Sequence, residues 1–168
     1  MSPVLGIVLM VGIVMMLAAI VGSMILGVGD VLHEPAPQGH FEQEYVASGE
    51  GNTDYRPYVE VTHEFGKSVP ADRIVIKDES GNTVNWGDVW TAGPTVAPGE
   101  YVHLDGFGSD GALDPICEEG DKYWIIFQDE DGDALMVNKW EAPSDPNLPP
   151  DAQTEGFDDD GDGIPNWC

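Results

Sequence analysis

Basic residues are scarce in this sequence of 168 residues. Six Lys and Arg stand against 31 Asp and Glu, which gives a formal net charge of -25 at pH 7. A potential of that sign repels phosphate backbones and anionic headgroups, so it excludes nucleic acid as a partner and argues against peripheral membrane binding by the acidic part. Molar salt shortens the Debye length to about 3 Å and relieves the self-repulsion of such a chain. The composition therefore predicts a protein of a halophile.

A recognisable catalytic constellation is also missing. Ser109 lies outside any nucleophile-elbow sequence, and the glycine pattern of residues 106–111 resembles a dinucleotide-binding loop but is followed at once by Asp114-Pro115, which prevents a helix from starting. No Asn-x-Ser/Thr sequon occurs. The histidines are scattered without metal-ligand spacing: His33, His40, His63 and His103. We expect no enzyme activity and no required cofactor.

The first 29 residues contain no charged side chain at all. This stretch exceeds the roughly 20 apolar residues that a helix needs to span a bilayer. It lacks the basic start and the short apolar region of a secretory signal. The first basic residue is Arg56, and the absence of flanking Lys or Arg predicts that a basic leader has been removed. We predict a helix that lies in lipid or packs among other apolar helices.

Small residues within this stretch stand at the spacing of close helix contacts. Ala18 and Gly22 are four residues apart, which places them on one helix face. Pro3 suits the first helical position, where its missing N–H needs no partner, and Ser2 is a plausible cap. The pattern predicts that several copies of this helix approach one another closely.

The run Ser2-Pro3-Val4-Leu5-Gly6-Ile7-Val8-Leu9-Met10-Val11 resembles the start of mature haloarchaeal type IV pilins. The resemblance implies export with a short basic leader, cleavage by a prepilin peptidase so that Met1 is the mature N-terminus, and membrane insertion before an assembly platform builds the filament. Bacterial pilins carry a glutamate at the fifth mature position, where this chain has Leu5. The residues assigned to the polymerisation helix are Ser2, Pro3, Val4, Leu5, Gly6, Met10, Ala18 and Gly22.

The remainder of the chain has the pattern of short strands separated by turns. Five tryptophans argue that it folds despite its charge. We predict an α+β fold: a hydrophobic helix at 1–29, a hinge or linker at 30–40, and at 41–168 an acidic all-β head, an Ig-like sandwich or small barrel, ending in an extended Pro- and Asp-rich tail. The predicted strands are 41–47, 56–64, 73–78, 83–86, 89–92, 100–104, 123–128 and 135–140.

The chain has two cysteines, Cys117 and Cys168. An even count in a chain that looks exported favours a disulfide, with a reduced pair as the alternative. A bridge of that span would stabilise the head by about 4 kcal/mol on the chain-entropy model and would hold the C-terminus.

The sharpest local motif is an Asp-rich stretch near the C-terminus. Asp158, Asp160 and Asp162 alternate ahead of Gly163, as carboxylates do at the start of calcium loops. The stretch resembles the repeat of thrombospondin type 3 modules, with Asn166 where Asp is usual, and further ligands would come from Glu155 or a backbone carbonyl. The alternative is an acidic turn that holds hydrated cations loosely. A second Asp alternation, 129–133, is predicted to be a hairpin turn.

The function that these features predict is a structural subunit of an extracellular type IV pilus. Its partners are copies of itself, the prepilin peptidase, the assembly platform and, before assembly, the membrane. The resemblance implies surface adhesion and biofilm formation. The alternatives are an archaellin, the subunit of a swimming filament, and a membrane-anchored cell-surface binding protein. An extracellular hydrolase would need a nucleophile or an acid pair that the sequence does not present.

Overall fold

The protein is described by a computed structural model, which covers residues 3–28 and 38–168, with side chains in the first range given for 3–20. The chain divides into two compact units, Met1–Pro35 and Ala36–Cys168. Ser2 and most of the predicted hinge at 30–40 lie outside the described residues. The three-part domain division therefore stays a prediction.

The first unit is built on one helix, α1, which runs from Pro3 to Val28. At 1.5 Å per residue its 26 residues extend for about 39 Å, longer than the roughly 30 Å hydrocarbon core of a bilayer. The segment Pro3–Ile20 has a mean hydropathy of 2.7, and by length and composition it is able to cross a membrane. The side chains of residues 3–20 are exposed in the single chain. Residues 3–20 contain no polar side chain, so this part of α1 differs from the amphipathic helices of globular domains.

The second unit is rich in antiparallel β-structure. A three-stranded sheet has the order β1-β2-β7, a four-stranded sheet has the order β5-β4-β8-β9, and β3 pairs with β6. Within the described residues these sheets are open, without a closed barrel. The elements are β1 Gly39–Val46, β2 Tyr58–Gly66, β3 Val69–Pro70, β4 Ile74–Asp78, β5 Thr83–Asn85, β6 Thr95–Val96, β7 Tyr101–Leu104, β8 Lys122–Gln128, β9 Ala134–Glu141 and the short helix α2 Pro150–Thr154.

Side-chain alternation explains how the two larger sheets share one core. On β8 every second residue is buried, and on β2 the buried positions include Val59 and Val61. The inward side chains of both sheets join a single hydrophobic cluster around the fully buried Trp86. Tyr45 of the first sheet packs on Trp140 of the second, with ring centroids 5.4 Å apart. The head therefore buries the inner face of each sheet and leaves the outer face to solvent.

The prediction of a strand at Val89–Ala92 is wrong. A 3₁₀ turn covers Trp86–Asp88, and the backbone then makes two successive tight turns, with Val89 N–H bonded to Trp86 C=O at 3.2 Å and Ala92 N–H to Val89 C=O at 2.9 Å. These turns place both Trp86 and Val89 in the core. The alternation of apolar residues in this stretch comes from turns that face the core, not from a pleated strand.

The C-terminal tail has no regular structure from Ala142 to Pro149, and α2 then begins at Pro150. Leu148 and Ala152 are buried, so the tail is part of the packed head. The predicted disulfide is confirmed: Cys117 and Cys168 are bonded, with their Cα atoms 5.5 Å apart. It ties the tail to the loop that precedes β8.

Asp78, at the end of β4, is a buried carboxylate that organises two loops. Its oxygens accept hydrogen bonds from the backbone N–H and the side-chain amide of Asn82 and from the backbone N–H of Asp114, each at 2.8 Å. Burial alone would raise the pKa of Asp78, but these hydrogen bonds to the charged form outweigh it and the pKa is lowered. The ionised carboxylate thus stabilises the fold.

We expect Asp78→Asn to lower the free energy of unfolding by about 1–3 kcal/mol at pH 7, because one buried acceptor becomes a donor. Since the folded pKa lies below the unfolded one, this contribution is present above pH about 4 and is lost as the pH falls through the folded value. Urea titrations followed by tryptophan fluorescence at pH 7 and at pH 2–4 measure both effects. The exposed Asp88→Asn is the control, and equal stability of the two variants at pH 7 would contradict the assignment.

Candidate functional site

The surface of α1 offers packing sites instead of chemical groups. Four-residue spacing places Gly6 with Met10, and Ala18 with Gly22, on common faces. A Cβ added at Gly6 or Gly12 would meet no heavy atom within 4 Å, so nothing among the described residues requires glycine there. Glycine inside a helix costs about 1 kcal/mol relative to alanine. Its presence suits the close approach of another helix.

The Asp-rich loop is wound around one buried carboxylate. Asp158 is 3% exposed, and its two oxygens accept hydrogen bonds from the backbone N–H groups of Gly161 at 2.9 Å and Gly163 at 3.0 Å. Both glycines have a positive φ, +74° and +86°, which other residues rarely adopt. The local sequence thus folds into this loop because its glycines permit the turns that the Asp158 carboxylate holds.

The structure brings the three predicted metal ligands together. One oxygen each of Asp158, Asp160 and Asp162 lie within 4.8 Å of one another. Two oxygens that share a calcium ion at about 2.4 Å each are at most about 4.8 Å apart, so this spacing suits calcium. Glu155 does not join the group. It lies near Tyr55 instead, and partial burial together with the charge of Glu155 raises the pKa of Tyr55. The loop lines a pocket of about 220 Å³ together with polar groups of Asn147 and Gln153.

The other Asp alternation forms the predicted turn. Asp129 directly follows β8, and its Oδ1 accepts hydrogen bonds from the backbone N–H groups of Asp131 at 3.0 Å and Asp133 at 2.9 Å. Gly132 supplies the positive φ of +88° that the turn needs. The Asp129 carboxylate is thus engaged in closing the β8–β9 hairpin, while Asp131 and Asp133 contribute their backbone N–H groups.

The N-terminal part of the chain is similar to a known protein family. Residues 1–41 match the family model "Archaeal Type IV pilin, N-terminal". We call this range the pilin segment. It includes α1 and ends within β1 at Phe41. A search of curated proteins found no match for the chain. The match agrees with the resemblance seen in residues 2–11 and supports a pilin-like subunit. Pilins are structural proteins that self-associate into filaments, and the apolar helix α1 is consistent with membrane insertion before such assembly.

Within the pilin segment, the predicted polymerisation residues Pro3, Val4, Leu5, Gly6 and Met10 lie in the first turns of α1. Ala18 and Gly22 lie further along the same helix, and Ser2 is not described. The apolar side chains among residues 4–10 are 60–70% exposed. Their assignment to polymerisation stays a prediction.

The sequence did not predict that Arg56 contacts Trp167 near the C-terminus. The Arg56 guanidinium lies between two aromatic rings, 4.2 Å from the centroid of Phe107 and 4.0 Å from that of Trp167, and its Nε donates to Asp54 at 2.6 Å. These contacts are cation–π interactions. They join residues that are far apart in the sequence, so no local pattern indicated them.

The calcium prediction can be tested by isothermal titration of the full chain in a calcium-free, high-salt buffer. We expect one calcium ion per chain, with a dissociation constant of about 10⁻⁴–10⁻³ M, as is typical of extracellular modules. Asp160→Asn combined with Asp162→Asn should remove this binding, because two of the three carboxylates lose their charge. Asp131→Asn in the hairpin turn is the matched control and should leave it unchanged. Equal calcium binding by the unmodified chain, the double variant and the control would indicate loosely held counterions instead of a specific site.

Proposed function

We propose that this chain is a structural subunit of an extracellular type IV pilus of a halophilic archaeon. The observation that carries the proposal is the match of the pilin segment on a helix that is apolar on every side. Such a helix is stable in two environments, a lipid bilayer or a bundle of other apolar helices. Assembly would transfer α1 from the first environment to the second.

The transfer needs close helix contacts, since the hydrophobic effect does not favour a helix bundle over lipid. Association of helices in lipid depends on van der Waals packing, which small residues increase by letting backbones approach. Gly6, Gly12, Ala18 and Gly22 supply such positions along α1. We propose that a prepilin peptidase and an assembly platform act on the pilin segment, as they do on members of the family that it matches.

The head would form the outer surface of the filament. The apolar helix carries no charge, so the net charge of -25 belongs to the rest of the chain. Such a surface attracts cations and stays soluble in concentrated salt. We propose that the heads carry the contacts with surfaces and other cells that lead to adhesion and biofilm formation, with no enzymatic step.

The proposal is tested by expressing the chain with an affinity tag in archaeal cells that possess a type IV pilus assembly system. Cells are sheared in high salt, and the released fraction is examined by negative-stain electron microscopy and mass spectrometry. We expect thin filaments in which this chain is the main protein. Protein that stays in the membrane without filaments would favour a membrane-anchored binding protein. Filaments that rotate and drive swimming would favour an archaellin.

A further inference from the structure

The outer face of the four-stranded sheet is apolar and carries lysines. Lys77 on β4 and Lys139 on β9 are both paired with Trp124 of β8, so the three side chains lie in a row on this face. Ile126 is paired with Met136 in the next row. We call this surface the lysine face; its members are Lys77, Lys122, Trp124, Ile126, Met136 and Lys139.

The lysine face contrasts with the rest of the head in charge. It holds three of the six basic residues of the chain. Glu79 and Glu141 pair with Lys122 and Lys139, at 2.7 Å and 2.8 Å, which leaves one net positive charge. Lys77 has no ion-pair partner among the described residues. A positive surface is unusual in a chain whose net charge is -25, and it makes an acidic partner favourable.

The same face also exposes apolar surface. Met136 is 58% exposed, while Trp124 and Ile126 are half-buried. Together with Lys77 they line a shallow cavity of about 260 Å³. Aromatic residues and methionine are enriched in protein interfaces, and a rim of charged groups around an apolar centre is the usual arrangement.

The outer face of the three-stranded sheet has the opposite character. Glu44 on β1 stands directly opposite Glu60 on β2. Glu42 lies beside Glu64 on the same face, and the contact with the Glu64 carboxyl together with its charge raises the pKa of Glu42. No Lys or Arg occurs on β1, β2 or β7. We call these four residues the glutamate face. Like charges directly opposite one another destabilise a sheet, so the single head carries a repulsion that a cationic partner would relieve.

The two faces point in opposite directions, because the inward side chains of both sheets share one core. A contact between the lysine face of one copy and the glutamate face of another therefore uses two different surfaces. Such a heterologous contact leaves one free face at each end and can be repeated to form an open chain or helix. A symmetric dimer would need one surface that is complementary to itself.

We propose that the lysine face of one copy docks on the glutamate face of the next copy. The inference rests on the proposed function in that the second copy is the neighbouring subunit of the filament. High salt favours this contact over simple repulsion. At about 3 Å the Debye length at 1 M screens the long-range repulsion between acidic heads, while charges in direct contact still interact.

Zero-length cross-linking tests the contact on the unmodified protein. Light and ¹⁵N-labelled full chains are mixed as separate subunits in detergent and then concentrated, and a carbodiimide couples lysine amines to carboxylates that touch them; sheared filaments are cross-linked in the same way. We expect amide links from Lys77 or Lys139 of one isotope to Glu42, Glu44, Glu60 or Glu64 of the other. Their absence, with links between copies at other sites or none, would overturn the proposal. If filaments form but these links are absent, the proposed contact between heads is wrong and the pilus proposal stands. If the links form but no filaments do, the pilus proposal is wrong and the contact between heads stands.

Charge reversal tests the complementarity itself. The variant Lys77→Glu with Lys139→Glu retains Lys122 on the lysine face. We expect the yield of links from Lys122 of one copy to the glutamate face of another to fall roughly tenfold, because like charges then face each other. Glu44→Lys with Glu60→Lys should do the same, and the protein with all four changes should regain the contact. Lys67→Glu, an exposed position outside the lysine face, is the control. Thermal melts confirm that each variant is folded. Unchanged yield in both folded double variants would overturn the proposed complementarity of the two faces.

Discussion

Filaments are expected to disappear when Met10 is replaced by lysine and to persist when it is replaced by leucine. Met10 lies near the middle of the apolar segment Pro3–Ile20 and is 70% exposed in the single chain. A lysine near the centre of a membrane helix costs about 2.5–3.5 kcal/mol on insertion scales, and in a packed bundle its charge would have no partner. Leucine conserves volume and apolar character. The measurement is the ratio of sheared to cell-associated protein, with electron microscopy of the sheared fraction.

Membrane fractionation of the same cells separates insertion from assembly. A lysine variant that remains in the membrane but yields no filaments locates the defect at helix packing. A lysine variant that assembles as well as the leucine variant would contradict the role of α1 as the filament core. That outcome would direct attention to the head as the source of polymerisation.

Loss of the disulfide should have the largest effect on the stability of the head. We expect Cys117→Ser with Cys168→Ser to lower the free energy of unfolding by about 4 kcal/mol on the chain-entropy model, since the bond closes a loop with a sequence separation of 51. The C-terminal residues then depend on the stacking of Trp167 on Arg56 and on buried groups such as Leu148. Urea unfolding followed by tryptophan fluorescence measures the change.

Wild-type protein under reducing conditions is the matched control for this variant. It should unfold at the same urea concentration as the double serine variant, because both lack the same bond. A difference below about 1 kcal/mol between oxidised and reduced protein would contradict a structural role, since bridges of this kind typically contribute 2–4 kcal/mol. The loop around Asp158 lies in the tail that the disulfide bond holds. A change in the structure of this loop therefore reports locally on the loss of the disulfide.

Much of the fold could be predicted from local patterns. An uncharged stretch of 29 residues has few solutions other than a helix in an apolar environment, and α1 confirms the helix. Alternation with period two predicted the long strands, such as Lys122–Gln128, because one face of each is buried. The open antiparallel sheets agree with an α+β fold, and the barrel alternative does not apply to the described residues.

The elements that were predicted wrongly or missed have a common physical cause. Val89–Ala92 resembles a strand because Val89 is buried, but turns as well as strands can present a side chain to a core. The two-residue strands β3 and β6 are too short for any periodicity. The one-turn helix α2 depends on the burial of Ala152, which the sequence alone does not reveal. Tertiary packing decides such short elements.

The candidate sites show the same division. The carboxylates of Asp158, Asp160 and Asp162 were identified from spacing, since their loop is continuous in sequence. The lysine face and the glutamate face were not identified from the sequence, because each combines residues of several strands and depends on strand register. Lys77, for example, lies next to Trp124 because β4 pairs with β8. Register is fixed by the whole core and cannot be deduced from one strand.

The distribution of charge has a consequence for filaments in salt. A head that is acidic on most of its surface but positive on one sheet face has strong repulsion at long range and attraction at short range. Screening in molar salt removes the long-range repulsion and leaves most of the short-range attraction. We therefore expect head contacts to be lost, and filaments to become more flexible, when the ionic strength is lowered.

We propose that α1 forms the interior of a filament and that the β-rich head forms its exterior. Helical reconstruction of the sheared filaments by electron cryomicroscopy tests it most directly. We predict a core of packed helices, each long enough to contain Pro3–Val28, surrounded by heads with two open antiparallel sheets. Filaments whose axis is built from β-domains, with the apolar helix on the outside or still in a membrane, would contradict the account.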